Sequence, residues 1–188
     1  MLITFPVLSV HGKLVKFMVG WPFENNMVLQ RGCEVPVRGT AKPGSDIAVA
    51  FHGQKVKTTA DSDGKWKIFL EPMKAGGSFV MKINNGAEQI VYKNIMLGDV
   101  WFLSGQSNMQ FLVSKFTGSA KWLKDANYPD IRLSTIVTKY PPERPVWKEC
   151  TLASAKDFSA LGFLFGRERY KNKKVSIGLL CALWMVLQ

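Results

Sequence analysis

Histidine is the scarcest chemically useful residue in this 188-residue chain, which contains two, His11 and His52. A His-rich metal site is thereby excluded, and any reaction needing an imidazole base has few places to find one. The three cysteines, Cys33, Cys150 and Cys181, show no zinc-ligand spacing and cannot all pair, so no disulfide framework is indicated. Each reads as a small core residue, with Cys33 and Cys150 the pair open to bridging in an oxidising compartment. No apolar run approaches the roughly 20 residues of a membrane-spanning helix. The run over residues 2–10 has no basic stretch before it and no Ala-x-Ala-like cleavage pattern after it, so it reads neither as a span nor as a signal peptide. Acidic side chains are also few, 14 against 25 basic, for a net charge of +11. The excess is dispersed, with 12 basic and 7 acidic residues through position 95 and 13 and 7 beyond it. Only Arg167, Arg169, Lys171, Lys173 and Lys174 gather, on the polar side of an expected helix and the loop after it, so no nucleic-acid partner is expected. Phosphate loops, metal clusters and dinucleotide fingerprints are absent, and neither a metal nor a cofactor is expected.

What the chain does have is ample apolar content, 47%, enough for one ordinary domain or two small ones. Between residues 26 and 94 it reads as short strands, over 27–30, 35–40, 47–52, 55–60, 66–70, 79–84 and 89–92. They are separated by turn chemistry such as Lys42-Pro43-Gly44-Ser45, Asp61-Ser62-Asp63-Gly64, Ala75-Gly76-Gly77 and Asn85-Gly86. Asn85-Gly86 predicts a two-residue hairpin with positive φ at both positions. In Trp66-Lys67-Ile68-Phe69-Leu70 apolar residues recur against lysine, with Trp66 and Phe69 read as core. Seven strands at this spacing argue an immunoglobulin-like β-sandwich.

Residues 98–109, Gly98-Asp99-Val100-Trp101-Phe102-Leu103-Ser104-Gly105-Gln106-Ser107-Asn108-Met109, are the centre of the chain. The run 100–103 is apolar without alternation, as in a parallel strand covered on both faces, and Gly105 is suited to a sharp bend. Ser107 then sits just past a strand's carboxyl end, where open α/β sheets bind ligands and where hydrolases hold a nucleophilic serine. Met109 stands where the second glycine of a G-x-S-x-G elbow would be. Gln106 and Asn108 flank the serine, placed either to donate to an oxyanion and orient substrate or to satisfy turn backbone. Asp99 reads as a structural hydrogen-bonding residue.

The whole string resembles the nucleophile block of the sialate O-acetylesterase family, a branch of the SGNH (GDSL-like) hydrolases. Four further segments resemble that family in its order: Phe23-Glu24-Asn25-Asn26-Met27-Val28-Leu29-Gln30-Arg31, Val35-Pro36-Val37-Arg38-Gly39-Thr40-Ala41, Gly64-Lys65-Trp66 and Phe158-Ser159-Ala160-Leu161-Gly162. Together they cover roughly residues 21–180. The resemblance implies a secreted or periplasmic serine esterase that removes acetyl groups from sialic acid or related sugars, with Ser107 as nucleophile and an acetylated sugar as its partner.

After Ser107 helices and strands alternate. A short helix over 119–126 is expected, capped by Ser119, then a strand over 131–137, a proline-containing loop over 139–145, and a strand over 147–150. Ser159 caps a helix from 160 to about 170 with Leu161, Phe163, Leu164 and Phe165 on its apolar side, and 175–180 is the next strand. The rhythm is that of a parallel three-layer domain. Three regions result: an irregular start over 1–22, a β-sandwich over 23–95, and an incomplete α/β hydrolase domain over 96–188. In the family, the strand matching 175–180 continues through a tryptophan into an oxyanion-hole glycine pair. Here Trp184 is followed by Met185-Val186-Leu187-Gln188, and the family's later oxyanion asparagine and Asp-x-x-His segment have no counterpart. Serine is a poor nucleophile without an adjacent base, and His11 and His52 both read as surface residues. The expectation is therefore a chain truncated at its C-terminus, nearly inert and prone to aggregate through uncovered helix faces such as Phe163 and Phe165. The second reading is a non-catalytic remnant or carbohydrate-binding β-sandwich fragment.

Overall fold

The computed structural model describes residues 15–137 and 145–183. The start through residue 14 with His11, nearly all of the loop expected over 139–145, and Trp184 with the residues after it lie outside the described residues.

Seven strands, β1 (Met18–Val19), β2 (Val28–Gln30), β3 (Val35–Thr40), β4 (Asp46–Phe51), β5 (Gln54–Thr59), β6 (Lys65–Leu70) and β7 (Gly76–Asn84), lead into the 17-residue strand β8 (Gln89–Gly105). Beyond it come α1 (Ser107–Gln110), a 3-10 turn (Val113–Lys115), α2 (Ser119–Leu123), β9 (Tyr128–Val137), β10 (Lys148–Cys150), α3 (Leu152–Ala155), α4 (Ala160–Lys173) and β11 (Ser176–Leu183). A three-stranded antiparallel sheet has the order β1-β3-β6. A larger mixed sheet has the order β10-β9-β11-β8-β7-β4-β5, with β2 also paired to β8. Strands dominate and helices are few among the described residues.

Period-two alternation builds the first part, and fully burying each inward apolar side chain contributes about 1.5–3 kcal/mol. Ile47, Val49 and Phe51 of β4 and Met81 and Ile83 of β7 meet Val37 of β3 and Trp66, Ile68 and Leu70 of β6 in one cluster. Phe69 departs from expectation. It lies on the lysine side of β6, 47% exposed, because strand alternation and not side-chain hydrophobicity sets the face. Residues before position 23, expected to be irregular, supply β1 and the buried Phe17 and Val19. The Asn85-Gly86 turn also differs. Only Gly86 has positive φ, and the Asn85 side chain accepts hydrogen bonds from the amides of Ala87 and Glu88. The turn with two positive-φ residues is His52-Gly53, between β4 and β5.

β8 is the spine. Its residues 89–97 pair antiparallel with β7 and its residues 98–105 pair parallel with β11, which also runs parallel to β9. The boundary expected between residues 95 and 96 is therefore mid-strand. At Gly98 a side chain would collide with the carbonyl oxygen of Ser176, so this crossing of β8 and β11 needs glycine. Nor is the first core private to residues 23–95, since Trp147 and Leu180 belong to it and the Trp147 indole donates to the Pro22 carbonyl at 3.1 Å. A buried arginine, Arg132, holds the same region together. It is ion-paired with Glu149 and donates to Asn94 Oδ1 at 3.2 Å, while Asn94 Nδ2 donates to Glu149 at 2.7 Å and to Asn26 at 2.8 Å. Both hydrogen bonds to Glu149 hold its carboxyl below the usual carboxylate range.

A second cluster lies on one face of β8, β9 and β11. Ile131, Leu133, Ile177, Leu179 and Cys181 pack there against Val113, Phe158 and Phe163. α4 turns Ala160, Gly162, Phe163 and Gly166 inward. Leu161, expected on the apolar side, is 54% exposed, because the inward residues recur at helical spacing and 161 falls off their stripe. Phe163, expected to lack cover, is fully buried, and Phe165 meets Trp101 edge to face with centroids 5.0 Å apart. Phe102 shows the reverse. The apolar run 100–103 suggests cover on both faces, yet Phe102 is 62% exposed, since helices among the described residues cover only the opposite face. Among the described residues this part shows two of the three expected layers. α2 is shorter than expected, and its cap position is Gly118, in left-handed conformation, with Ser119 already helical. Cys150 and Cys181 are buried and Cys33 is exposed, so Cys33 is no core residue and the Cys33 to Cys150 pairing does not form.

Candidate active site

Three parallel strands end side by side, with Leu183 of β11 registered against Gly105 of β8 and Val137 of β9. Ser107 opens α1 immediately past this edge. Gly105 remains in the strand, and Gln106, at φ −91° and ψ −145°, makes the bend that had been expected of the glycine. The Met109 amide donates to the Gln106 carbonyl at 2.9 Å, closing the corner. Gln106, Ser107 and Asn108 are all exposed, and no described side chain hydrogen-bonds the Ser107 hydroxyl.

The corner is clamped from below by the segment that starts α4. Ala160 donates to the Phe111 carbonyl at 2.8 Å, Val113 to Phe158 at 3.0 Å and Ser114 to Lys156 at 3.0 Å, and Leu112 bridges Ser159. The buried Ser159 hydroxyl accepts from the Gly162 amide at 3.2 Å, capping α4, and contacts Met109 Sδ at 3.2 Å. Gly162 lets the helix approach β8, because a Cβ there would stand 2.8 Å from Leu103 Cδ1. The strand is braced on its other side. Arg31 Nε and a terminal nitrogen donate to the two carboxylate oxygens of Asp99 at 2.7 and 3.3 Å, and Gln30 Oε1 accepts from the Val100 amide at 2.8 Å. The Asp99 hydrogen bond raises the Arg31 pKa. Asp99 is thus the structural residue expected. Its partner Arg31 and the Ser159 contact to Met109 were missed, although both residues stand in segments that carry the family resemblance.

His52 is remote from this corner. Its ring lies 4.6 Å from that of Phe79, which is registered with Ile95, ten residues back along β8 from Gly105, or about 33 Å at strand rise. Among the described residues no imidazole reaches Ser107, and no group of three or more His, Cys, Asp or Glu side chains is placed to hold a metal. Among these residues, too, no helix is long and apolar enough to cross a membrane. A cleft of about 290 Å³ lined by Gly76, Gly77, Met96, Asp130, Lys174 and Ser176 opens at the amino ends of β9 and β11, the opposite end of the sheet from Ser107.

No family model matches the chain. The sialate O-acetylesterase of Homo sapiens is 31% identical over 85% of this chain and 35% of its own length. That of Mus musculus is 30% identical over 86% and 34%. Among solved structures, a carbohydrate acetylesterase from Xanthomonas citri superposes with a TM-score of 0.81 at 29% identity, over 86% of this chain and 39% of that one. The chain spans about a third of the length of the curated relatives it matches. Over most of its length this chain is similar in sequence to the sialate O-acetylesterases and in fold to a carbohydrate acetylesterase.

Proposed function

We propose that this chain is the nucleophile-bearing part of a carbohydrate O-acetylesterase of the SGNH type, with Ser107 as the attacking residue and an acetylated sugar such as a sialate as substrate. The observation that supports it is the exposed hydroxyl at the strand-to-helix corner, held by the 158–162 segment. In this reading Ser107 Oγ attacks the acetyl carbonyl carbon, the sugar hydroxyl leaves with a proton, and water releases acetate from the acetyl-enzyme. The Ser107 backbone N–H serves as one oxyanion donor, and Gln106 or Asn108 orients the sugar. Residues 23–95 form an immunoglobulin-like module, residues 96–188 the hydrolase portion, and the working compartment is extracellular or periplasmic.

Among the described residues no imidazole stands beside the nucleophile, and slow turnover is the outcome expected of them. Removing triad members leaves about 10³ to 10⁴ over water. The test is to incubate the purified chain with an activated acetyl ester and map acetylation by peptide mass spectrometry. Slow acetylation concentrated on Ser107 and lost in Ser107→Ala is the expected result. Acetyl groups scattered equally over surface hydroxyls would overturn the assignment of Ser107, and rapid turnover abolished by Ser107→Ala would overturn the missing base, with His11→Ala then asking whether His11 supplies it.

A further inference from the structure

The sheet β1-β3-β6 buries one face in the first core and turns the other to solvent. The outward residues are Met18 of β1, Pro36 and Arg38 of β3, and Lys65, Lys67 and Phe69 of β6. Register sets Arg38 directly opposite Lys67 and Pro36 opposite Phe69. Like charges directly opposite on antiparallel strands destabilise a sheet. Among the described residues no acid pairs with Arg38 or Lys67, and the one acid in salt-bridge contact with this row is Asp63, 3.6 Å from Lys65. Lys67 Nζ instead stands 4.4 Å over the Phe69 ring. Phe69 is 47% exposed and Met18 44%, although polar side chains would suit both places. The Lys67–Phe69 contact offsets part of this cost, yet a same-sign pair kept on an exposed sheet face beside an exposed ring, with no acid next to Arg38 or Lys67 among the described residues, is the pattern of an anion-binding surface.

We infer that this face binds an acidic glycan. Carboxylates of the glycan pair with Arg38 and Lys67, relieving their repulsion, and the C–H face of a sugar ring lies against Phe69. The choice of a glycan rests on the carbohydrate-esterase reading above, and the demand for an anion rests on the sheet itself. Three cations on this face, one of them paired to Asp63, are fewer than the roughly 6 to 10 phosphate contacts of many DNA-binding proteins, which disfavours nucleic acid.

Titration of ¹⁵N-labelled chain with short oligosialic acid, followed by NMR at low and high salt, tests it, with a neutral maltooligosaccharide as control. Shifts should cluster on residues 36–40 and 65–69 and weaken as salt rises. The double variant Arg38→Gln/Lys67→Gln should lose about fivefold or more in affinity while its thermal midpoint holds or rises, because a repulsion is removed. Phe69→Ala should weaken binding independently. Equal shifts from the neutral oligomer, undiminished affinity in the double variant, or tighter binding of duplex DNA or anionic vesicles at the same salt would each overturn the inference. Ser107→Ala keeps this binding, so failure to acetylate Ser107 with the glycan still bound refutes only the esterase reading, and the converse refutes only this one.

Discussion

Arg132 and Glu149 show at the level of single residues how an uncompensated charge would act in this fold. Arg132 is almost fully buried, while the Glu149 side chain is 42% exposed, so water screens part of the pair. Glu149→Gln should destabilise the chain by about 1–2 kcal/mol at neutral pH, measured by urea unfolding. The pH dependence follows from the lowered carboxyl pKa. A depressed folded value adds stability that is complete above the unfolded pKa of about 4.3 and is lost as pH falls through the folded value. Wild type should lose this contribution below about pH 4, and the Gln variant should lack that part of the acid limb. The cysteines separate as sharply. Burial pushes the Cys150 thiol up to about 12 and the Cys181 thiol up to about 11, whereas Cys33 is exposed. A thiol reagent near pH 8 should modify Cys33 alone in the native chain and reach the other two only on unfolding. Rapid native modification of Cys150 would show that its surroundings open.

At the scale of elements, β8 and α4 do most to place the corner that carries Ser107. Gly98→Ala puts a methyl against the Ser176 backbone, which cannot rotate away as a side chain can. The substitution should cost at least about 1–3 kcal/mol, read as a lowered denaturation midpoint. An unchanged midpoint would mean that β11 shifts freely past β8. Helix α4 is held by a local signal, the Ser159 cap, and by a non-local one, the close approach of Gly162 to Leu103. The sheet edges are blunted. β10 has three residues, and β5, at the other end, turns Lys55 and Lys57 outward, an arrangement that opposes edge-to-edge pairing.

For the whole molecule, one strand shared by both parts leaves no hinge between them. Residues 89–97 and 98–105 of β8 belong to one 17-residue strand, and Trp147 and Leu180 from beyond it complete the first core. The chain should therefore tumble with a single correlation time in NMR relaxation and unfold in one transition. Two correlation times, or a first transition confined to residues after 98, would contradict the shared strand. Exposed Phe102, Phe111 and Leu161 make self-association at high concentration the expected companion of this fold, checked by light scattering.

The amino-acid sequence by itself determined the features that depend on near neighbours. Alternation put Trp66, Ile68 and Leu70 on one face of a strand, Ser159 marked the start of α4, and the apolar run into Gly105 put Ser107 just beyond a strand end. Rise, pitch and capping act over a few residues, so such signals survive whatever the rest of the chain does. Only the tertiary structure decided that two expected strands are one, that Arg31 braces Asp99, that Arg132 is buried between Asn94 and Glu149, and that Phe102 faces solvent while Phe163 does not. Each depends on which distant segment, 68 residues away for Arg31 and Asp99 and 38 for Arg132 and Asn94, comes to lie against a given face, and periodicity carries no record of that.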